Sequence, residues 1–237
     1  MRVVLLIAIN FVREQRWPIL VLLLWVLLLA LLGLMTSASR DGEDLLFVFK
    51  QVALYVVAFS VFFGSSAIFN DRRSRRILSV LSKDLKRSQY LSGLVLGITI
   101  ASVIYSFALG LTGSWTLGEA GFRVSHIWFL MLCLVAACAL AGTVALMFST
   151  FLNPFFAAGA TAAAMGIPAA LSYGFGVPQL AYIIPVYPLA ATVLKSSFSS
   201  PETASWFPIV LAVIETLMFL LLSARIFSYV DIAVSVE

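Results

Sequence analysis

Charged side chains are scarce in this chain. They make up 11% of its 237 residues, against 62% hydrophobic residues, and the mean hydropathy is +1.07. A soluble domain carries about 25% charged residues, so the composition excludes an ordinary soluble protein. Several apolar stretches reach the length of about 20 residues that a helix needs to cross a bilayer. The sequence therefore predicts an all-α polytopic membrane protein, organised as a single transmembrane domain over residues 1–237.

Residues that carry catalytic chemistry are also few. The chain has one histidine, His126, and two cysteines, Cys133 and Cys138, both within one apolar stretch. One histidine cannot supply a histidine-based metal cluster or a multi-histidine haem site, and the cysteines are interpreted as packing residues. No Gly-x-x-x-x-Gly-Lys-Ser/Thr loop and no Gly-x-Ser-x-Gly elbow occurs in the sequence. We therefore expect no enzyme and no metal in this chain, and we place His126 in a loop before the fourth span.

Hydrophobic runs predict six spanning helices, near residues 17–36, 47–69, 90–115, 127–149, 154–175 and 207–229. With the N-terminus inside, eleven basic residues fall on the cytoplasmic side and four on the other. Because basic residues are retained on the cytoplasmic side, both termini are predicted to be cytoplasmic, in the inner (plasma) membrane.

Residues 1–16 are apolar but too short to span, and they predict an interfacial helix leading into the first span. A signal peptide cleaved after Ser37-Ala38-Ser39 is disfavoured, because the apolar run from Pro18 is longer than a usual signal core.

Small residues predict close helix packing in three spans. Gly93 and Gly97 begin the third, Ala141 and Gly142 lie in the fourth, and residues 157–166 of the fifth are mostly alanine and glycine. Residues 176–206 are too apolar for a free loop and are interrupted by prolines. They predict short, broken, re-entrant helices on the external side, anchored by Tyr182 and Tyr187.

Glu215 is the one acidic residue well inside an apolar span. An ionisable group there is costly and marks a candidate functional site. Two roles remain open: a structural hydrogen bond to a neighbouring helix, or a place on a substrate route.

The densest charge cluster of the chain is residues 70–89, with seven basic residues and two acidic ones. Its apolar positions are Ile77, Leu78, Leu81 and Leu85, whose spacing is typical of an amphipathic helix. Such a helix can lie on anionic lipid headgroups, or it can dock a soluble partner and pass force to the two flanking spans. Both roles are compatible.

This layout resembles the permease subunit of type 2 ATP-binding cassette (ABC) transporters. The likeness lies in the order of the elements: an interfacial helix, a first hairpin, a cytoplasmic coupling helix between spans two and three, and re-entrant helices before span six. Within the coupling region it is carried by Asp71-Arg72, Ile77, Val80-Leu81-Ser82, Leu85-Lys86-Arg87 and Gly93. The chain departs from the family pattern at Arg75 and Asp84, where the family has glycine and proline.

The resemblance implies a pair of permeases, identical or related, above two ATP-binding subunits that hold ATP and magnesium. Membrane lipids are the other expected partner, and no nucleic acid is expected. Export of amphiphilic or lipid-like cargo is the implied direction. The expected docking residues are Asp71, Arg72, Arg76, Ile77, Leu78, Leu81, Leu85 and Arg87. A channel or secondary transporter, a membrane-embedded enzyme and a structural scaffold remain alternatives.

Overall fold

The computed structural model describes residues 2–36, 42–73, 87–198 and 205–229, with the side chains of 32–36 and 72–73 left aside. Within these ranges every regular element is helical. The elements are α1 (Arg2–Glu14), α2 (Arg16–Thr36), α3 (Gly42–Arg73), α4 (Arg87–Glu119), α5 (Val124–Ser149), α6 (Pro154–Phe175), a 3₁₀ turn (Pro178–Tyr182), α7 (Val186–Lys195) and α8 (Phe207–Tyr229).

Five of these helices are long and apolar enough to cross a membrane: α3, α4, α5, α6 and α8. A sixth span results if α1 and the first part of α2, which meet at a bend of 65°, are counted together as one broken span. The all-helical membrane architecture is thereby confirmed, with five or six spans. The helices α3 and α4 are several residues longer at each end than their apolar runs predict, because helices continue into the polar flanks.

The centre of the bundle is α5. Of its most apolar 18-residue stretch, 83% is buried, against 11% for α6 and 17% for α8. It carries no charged residue, and its alanines and glycine let neighbouring helices approach on every side. The helices α3, α4, α6, α7 and α8 all pack against α5, whereas α1 and α2 pack on α3 and α4.

The closest approach is between α3 and α5. A Cβ atom added at Gly64 would lie 2.3 Å from the main-chain oxygen of Gly142. Beside this crossing, the Ser60 hydroxyl donates a hydrogen bond to the carbonyl of Cys138, and the Tyr105 hydroxyl of α4 donates one to the carbonyl of Val52. Polar side chains in the interior thus bind main-chain oxygens of the facing helices.

The helix α1 packs on the small-residue pair of α4. A Cβ at Gly93 would lie 2.6 Å from Ile7, and one at Gly97 would lie 2.7 Å from Phe11. The prediction of a separate N-terminal helix before the first span is consistent with the bend between α1 and α2. Its partner is the start of α4, and its interfacial position stays a prediction.

Contacts at the two ends of the bundle establish the antiparallel order. At one end, named the basic end, α3 ends, α4 begins and α8 ends, and Arg87 contacts Phe227. At the other, named the opposite end, Gly42 lies beside Phe198 and Ala120. The described flanks of the 70–89 cluster, residues 70–73 and 87–89, lie at the basic end.

Short helices do occupy the described part of 176–206. The left-handed conformation of Gly176 (φ 65°) ends α6, and the 3₁₀ turn and α7 follow. The residues Val186, Leu189 and Val193 of α7 are buried, with Leu189 packed in an apolar cluster with α5. The predicted broken helices are present, and their depth in a leaflet stays a prediction.

The expectation of close packing along α6 is wrong within the described chain. Only Ala157 and Thr161 are buried on this helix, and a Cβ added at Gly159 or Gly166 would meet nothing within 4 Å. Ala157 does pack in the bundle, but Gly159 and Gly166 lie on a side of α6 that no other described residue approaches closely.

Candidate functional site

The residues that flank the basic cluster meet at the basic end. Asp71 lies in the last turn of α3, and Tyr90 lies in the first turn of α4. The phenolic O–H of Tyr90, which is 2% exposed, donates a hydrogen bond to Oδ2 of Asp71. The bond joins the two helices at the points where the chain leaves the bundle and returns to it.

Arg87 extends this contact to α8. Its Nη1 donates to the carbonyl of Phe227 at 2.5 Å and to that of Ser228 at 3.2 Å. The last carbonyls of a helix lack partners within the helix and carry partial negative charge, so a guanidinium is well suited to cap them. It also lies 5.6 Å from the centre of the Phe227 ring, which stacks on Tyr90 at 6.3 Å.

These four residues, Asp71, Arg87, Tyr90 and Phe227, form what we name the anchor cluster. It fastens α3, α4 and α8 together where the 70–89 segment joins the bundle. Two members, Asp71 and Arg87, were predicted as docking residues, and the structure brings them together through Tyr90.

The sequence reading missed Tyr90 and Phe227. Tyr90 was interpreted only as the start of a span, and its one signal is that it is the first aromatic residue after a charged cluster. Phe227 carries no signal, because aromatic residues are frequent in this chain.

The other predicted docking residues are not placed in the anchor cluster. Arg72 lies in α3 without a described side chain, and the remainder lie outside the described residues: Arg76, Ile77, Leu78, Leu81 and Leu85.

Glu215 is half-buried near the middle of α8. Its Oε2 atom is shielded from solvent and has no hydrogen-bond partner among the described residues. The neighbouring Thr216 bonds within its own helix, to the carbonyl of Ala212. A structural hydrogen bond from this oxygen to a neighbouring helix is therefore absent from the part of the chain that the structure describes.

The position predicted for His126 is wrong. It lies in the first turn of α5, is 9% exposed, and its ring is 5.6 Å from that of Phe122 and 6.3 Å from that of Phe129. Helix α5 begins at Val124, three residues before the predicted start of the span at residue 127. Residues 124–126 therefore belong to the first turn of the helix and not to a loop. His126 is thus part of an aromatic layer at the opposite end.

Both cysteines are free thiols buried in apolar packing, at 1% and 0% exposure for Cys133 and Cys138. Throughout the described ranges, no group of three histidine, cysteine, aspartate or glutamate residues is arranged to hold a metal ion.

A cavity of about 470 Å³ lies at the opposite end, between the last turns of α6, the 3₁₀ turn and α7. Its polar lining consists of one lysine and five hydroxyl side chains: Lys195, Ser172, Tyr173, Tyr182, Tyr187 and Thr192. Two of these, Tyr182 and Tyr187, were predicted from the sequence as interfacial anchors.

Comparison with known proteins finds no family model and no curated protein that matches this chain.

Proposed function

We propose that this chain is the membrane-spanning permease subunit of an ATP-driven transporter of the type 2 ABC class, with ATP and magnesium bound by separate subunits. The observation that supports it best is the anchor cluster. The chain's main basic segment joins the bundle at a point where Asp71, Arg87, Tyr90 and Phe227 link three helices. A partner that pushes on residues 71–87 would move α3, α4 and α8 together, as a coupling element requires.

The orientation follows from the same end of the molecule. The described residues Arg72, Arg73, Arg87 and Arg225 lie towards the basic end. Retention of basic residues on the cytoplasmic side supports an orientation with that end and both termini in the cytoplasm, in the inner membrane. Soluble ATP-binding subunits would then have direct access to the segment.

A second permease copy is part of the proposal, and α6 is the helix that supports it. Among the described residues, a Cβ added at Gly159 or Gly166 of α6 would meet nothing within 4 Å, whereas the glycines of three other spans all lie close to neighbouring helices: Gly64, Gly93, Gly97 and Gly142. A glycine lowers the stability of a helix by up to about 1 kcal/mol relative to alanine. The glycines of α6 are therefore unfavourable unless a close helix contact compensates for them. A second copy packed against α6 would supply the close approach that this helix lacks in a single chain.

Amphiphilic or lipid-like cargo, moved outward, fits a bundle with few charges in its interior. Glu215 is the one carboxylate that such a route would pass, because its shielded oxygen is available for a donor on the cargo.

The test is purification of the tagged chain from its native membrane, with mass spectrometry of the proteins that accompany it. We expect a stoichiometric ATP-binding subunit. Charge reversal within the segment, Arg76→Glu, should release it. The matched control, Arg123→Glu, reverses an exposed arginine at the opposite end and should retain it. Recovery of the chain alone, or equal loss in both variants, would contradict the proposal.

Glu215 favours a second candidate, a secondary transporter in which a membrane carboxylate exchanges protons. It lies about 12 Å along α8 from Phe207, within an apolar span. If purified chain reconstituted alone acidifies vesicles in response to a substrate gradient, and Glu215→Gln abolishes this, the ABC proposal fails. Absence of proton movement removes the second candidate.

A further inference from the structure

The cavity at the opposite end is rich in unused hydrogen-bond donors. Ser172, Tyr173, Tyr182, Tyr187 and Lys195 line it, and none of them forms a hydrogen bond or an ion pair with another described residue. Thr192 differs, because its hydroxyl donates to the carbonyl of Pro188 at 2.9 Å and can only accept from a ligand. Five side chains with free donors thus surround one space.

The charge of the lining is of one sign. Lys195 is the only side chain of the described lining that is charged at neutral pH, and no carboxylate or side-chain amide of the described residues lines the space. Carboxylates and amides are the groups that present paired donors and acceptors to a neutral polyol, so their absence disfavours a sugar. An ammonium and several hydroxyls instead match a group with many acceptor oxygens and negative charge, and lysine is a common phosphate binder.

Helix α7 contributes a continuous wall to this space. Its residues Tyr187, Pro188, Ala191, Thr192 and Lys195 face the cavity at helical spacing, while its other face is buried in the bundle. The N-terminal turn of α7 is part of this wall. The donors are therefore held on a helix that is packed in place.

The location of the cavity indicates the source of the phosphate. It lies where the apolar helix α6 ends, at Gly176, which is the depth at which a spanning helix meets the headgroup layer. Tyrosines collect at that depth. Next to the cavity, Phe175 of α6 is 71% exposed and Tyr173 is 92% exposed, and they offer an apolar wall to an acyl chain. The volume of about 470 Å³ is within the range of small-ligand sites, about 300–1,000 Å³.

We propose that this cavity is a binding site for the phosphate headgroup of an anionic membrane lipid, taken from the leaflet at the opposite end. Lys195 pairs with the phosphate, the hydroxyls of Ser172, Tyr182 and Tyr187 donate to its oxygens, and the acyl chains lie along the exposed side of α6. The site belongs to the chain itself, so it does not depend on the presence of an ATP-binding partner.

The experiment uses the purified, delipidated full chain in a neutral detergent, titrated with short-chain phosphatidylglycerol and followed by tyrosine and tryptophan fluorescence and by native mass spectrometry. We expect saturable binding of one lipid per chain. Lys195→Gln should weaken it about tenfold, as expected for loss of one charge-assisted hydrogen bond, and Lys195→Arg should restore most of the affinity. Lys195 is exposed, so neither variant should disturb folding, which the elution profile checks.

Three controls distinguish the sources. Lys50→Gln removes a basic residue of α3 that does not line the cavity, and it should leave binding unchanged. Diacylglycerol, which has no phosphate, should bind weakly, and glycerol phosphate should compete only poorly because it lacks the acyl chains. An equal loss of lipid affinity in the Lys50 and Lys195 variants would mean that the lipid binds nonspecifically. Tight diacylglycerol binding would mean an apolar groove, and tight glycerol phosphate binding would mean a site for a soluble phosphate ester. Each of these results overturns the proposal.

Discussion

The contact between α3 and α5 allows a quantitative test of the fold. In Gly64→Ala, the new Cβ would lie 2.3 Å from the main-chain oxygen of Gly142 and 2.8 Å from Cβ of Ala145, whereas ordinary contacts begin at 3.4 Å. The closest atom is backbone, so it cannot rotate away. The two helices must separate by about 1 Å, and overpacking of this kind costs about 1–3 kcal/mol. Because α5 is the centre of the bundle, we expect the cost to be at the upper end of that range.

The matched control is Gly166→Ala on α6, where an added Cβ meets nothing within 4 Å. Alanine is favoured over glycine in a helix by up to about 1 kcal/mol, so this variant should be neutral or slightly stabilised as a monomer. An intermediate case is Gly142→Ala, whose Cβ would contact the side-chain ends of Ile98 and Ser60 at 2.7 Å. Both are side-chain atoms, which can move at the expense of the Ser60–Cys138 hydrogen bond, whereas the nearest atom at Gly64 is backbone. The loss of stability should therefore be smaller than for Gly64→Ala.

The assay is equilibrium unfolding of the monomer in mixed detergent micelles, in which an increasing fraction of sodium dodecyl sulfate is followed by tryptophan fluorescence. The free energy of unfolding should fall in the order Gly166→Ala, Gly142→Ala, Gly64→Ala, with about 2–4 kcal/mol between the first and the last. Equal stability of the Gly64 and Gly166 variants would refute the packing of α3 against α5 described above.

Three further predictions concern other parts of the chain. Arg87→Met keeps the length of the side chain but removes the donor to the last carbonyls of α8. The free energy of unfolding in the same assay should therefore fall by about 1.5–3 kcal/mol. An unchanged free energy of unfolding would mean that the anchor cluster does not join α4 to α8. The two native cysteines should resist a maleimide reagent until the protein is unfolded, because Cys138 is fully buried, whereas Tyr173→Cys should react at once; rapid labelling of the native thiols would contradict the burial of α5. In intact cells made to express single-cysteine variants, Lys195→Cys should react with a membrane-impermeant maleimide and Arg225→Cys should react only after permeabilisation, and the reverse pattern would invert the proposed orientation.

Much of the architecture could be predicted because membrane spans are determined by local composition. A run of about 20 apolar residues identifies a spanning helix without knowledge of its neighbours, and the prolines of 176–206 identified a connection of short helices. The 70–89 cluster could likewise be located, since charged residues are rare elsewhere.

Partners of individual residues could not be predicted in the same way. The small-residue pair Gly93 and Gly97 predicted a close helix contact. Nothing in the sequence around this pair indicated that the contacting helix would be α1. The same kind of signal at Gly159 and Gly166 of α6 has no close partner among the described residues. A small side chain allows a neighbouring helix to approach closely. Whether a helix does so depends on the arrangement of the whole bundle.

The sequence by itself therefore determined the class of protein, the number of apolar helices to within one, and the concentration of positive charge in one segment, because each depends on the free energy of transfer of a local stretch of chain. The tertiary structure decided that α5 is central and α6 peripheral, that Tyr90 and Phe227 join Asp71 and Arg87 in one cluster, and that Lys195 faces a cavity lined by hydroxyls. These features depend on contacts between residues up to 141 positions apart, and such contacts arise only when the helices pack against one another.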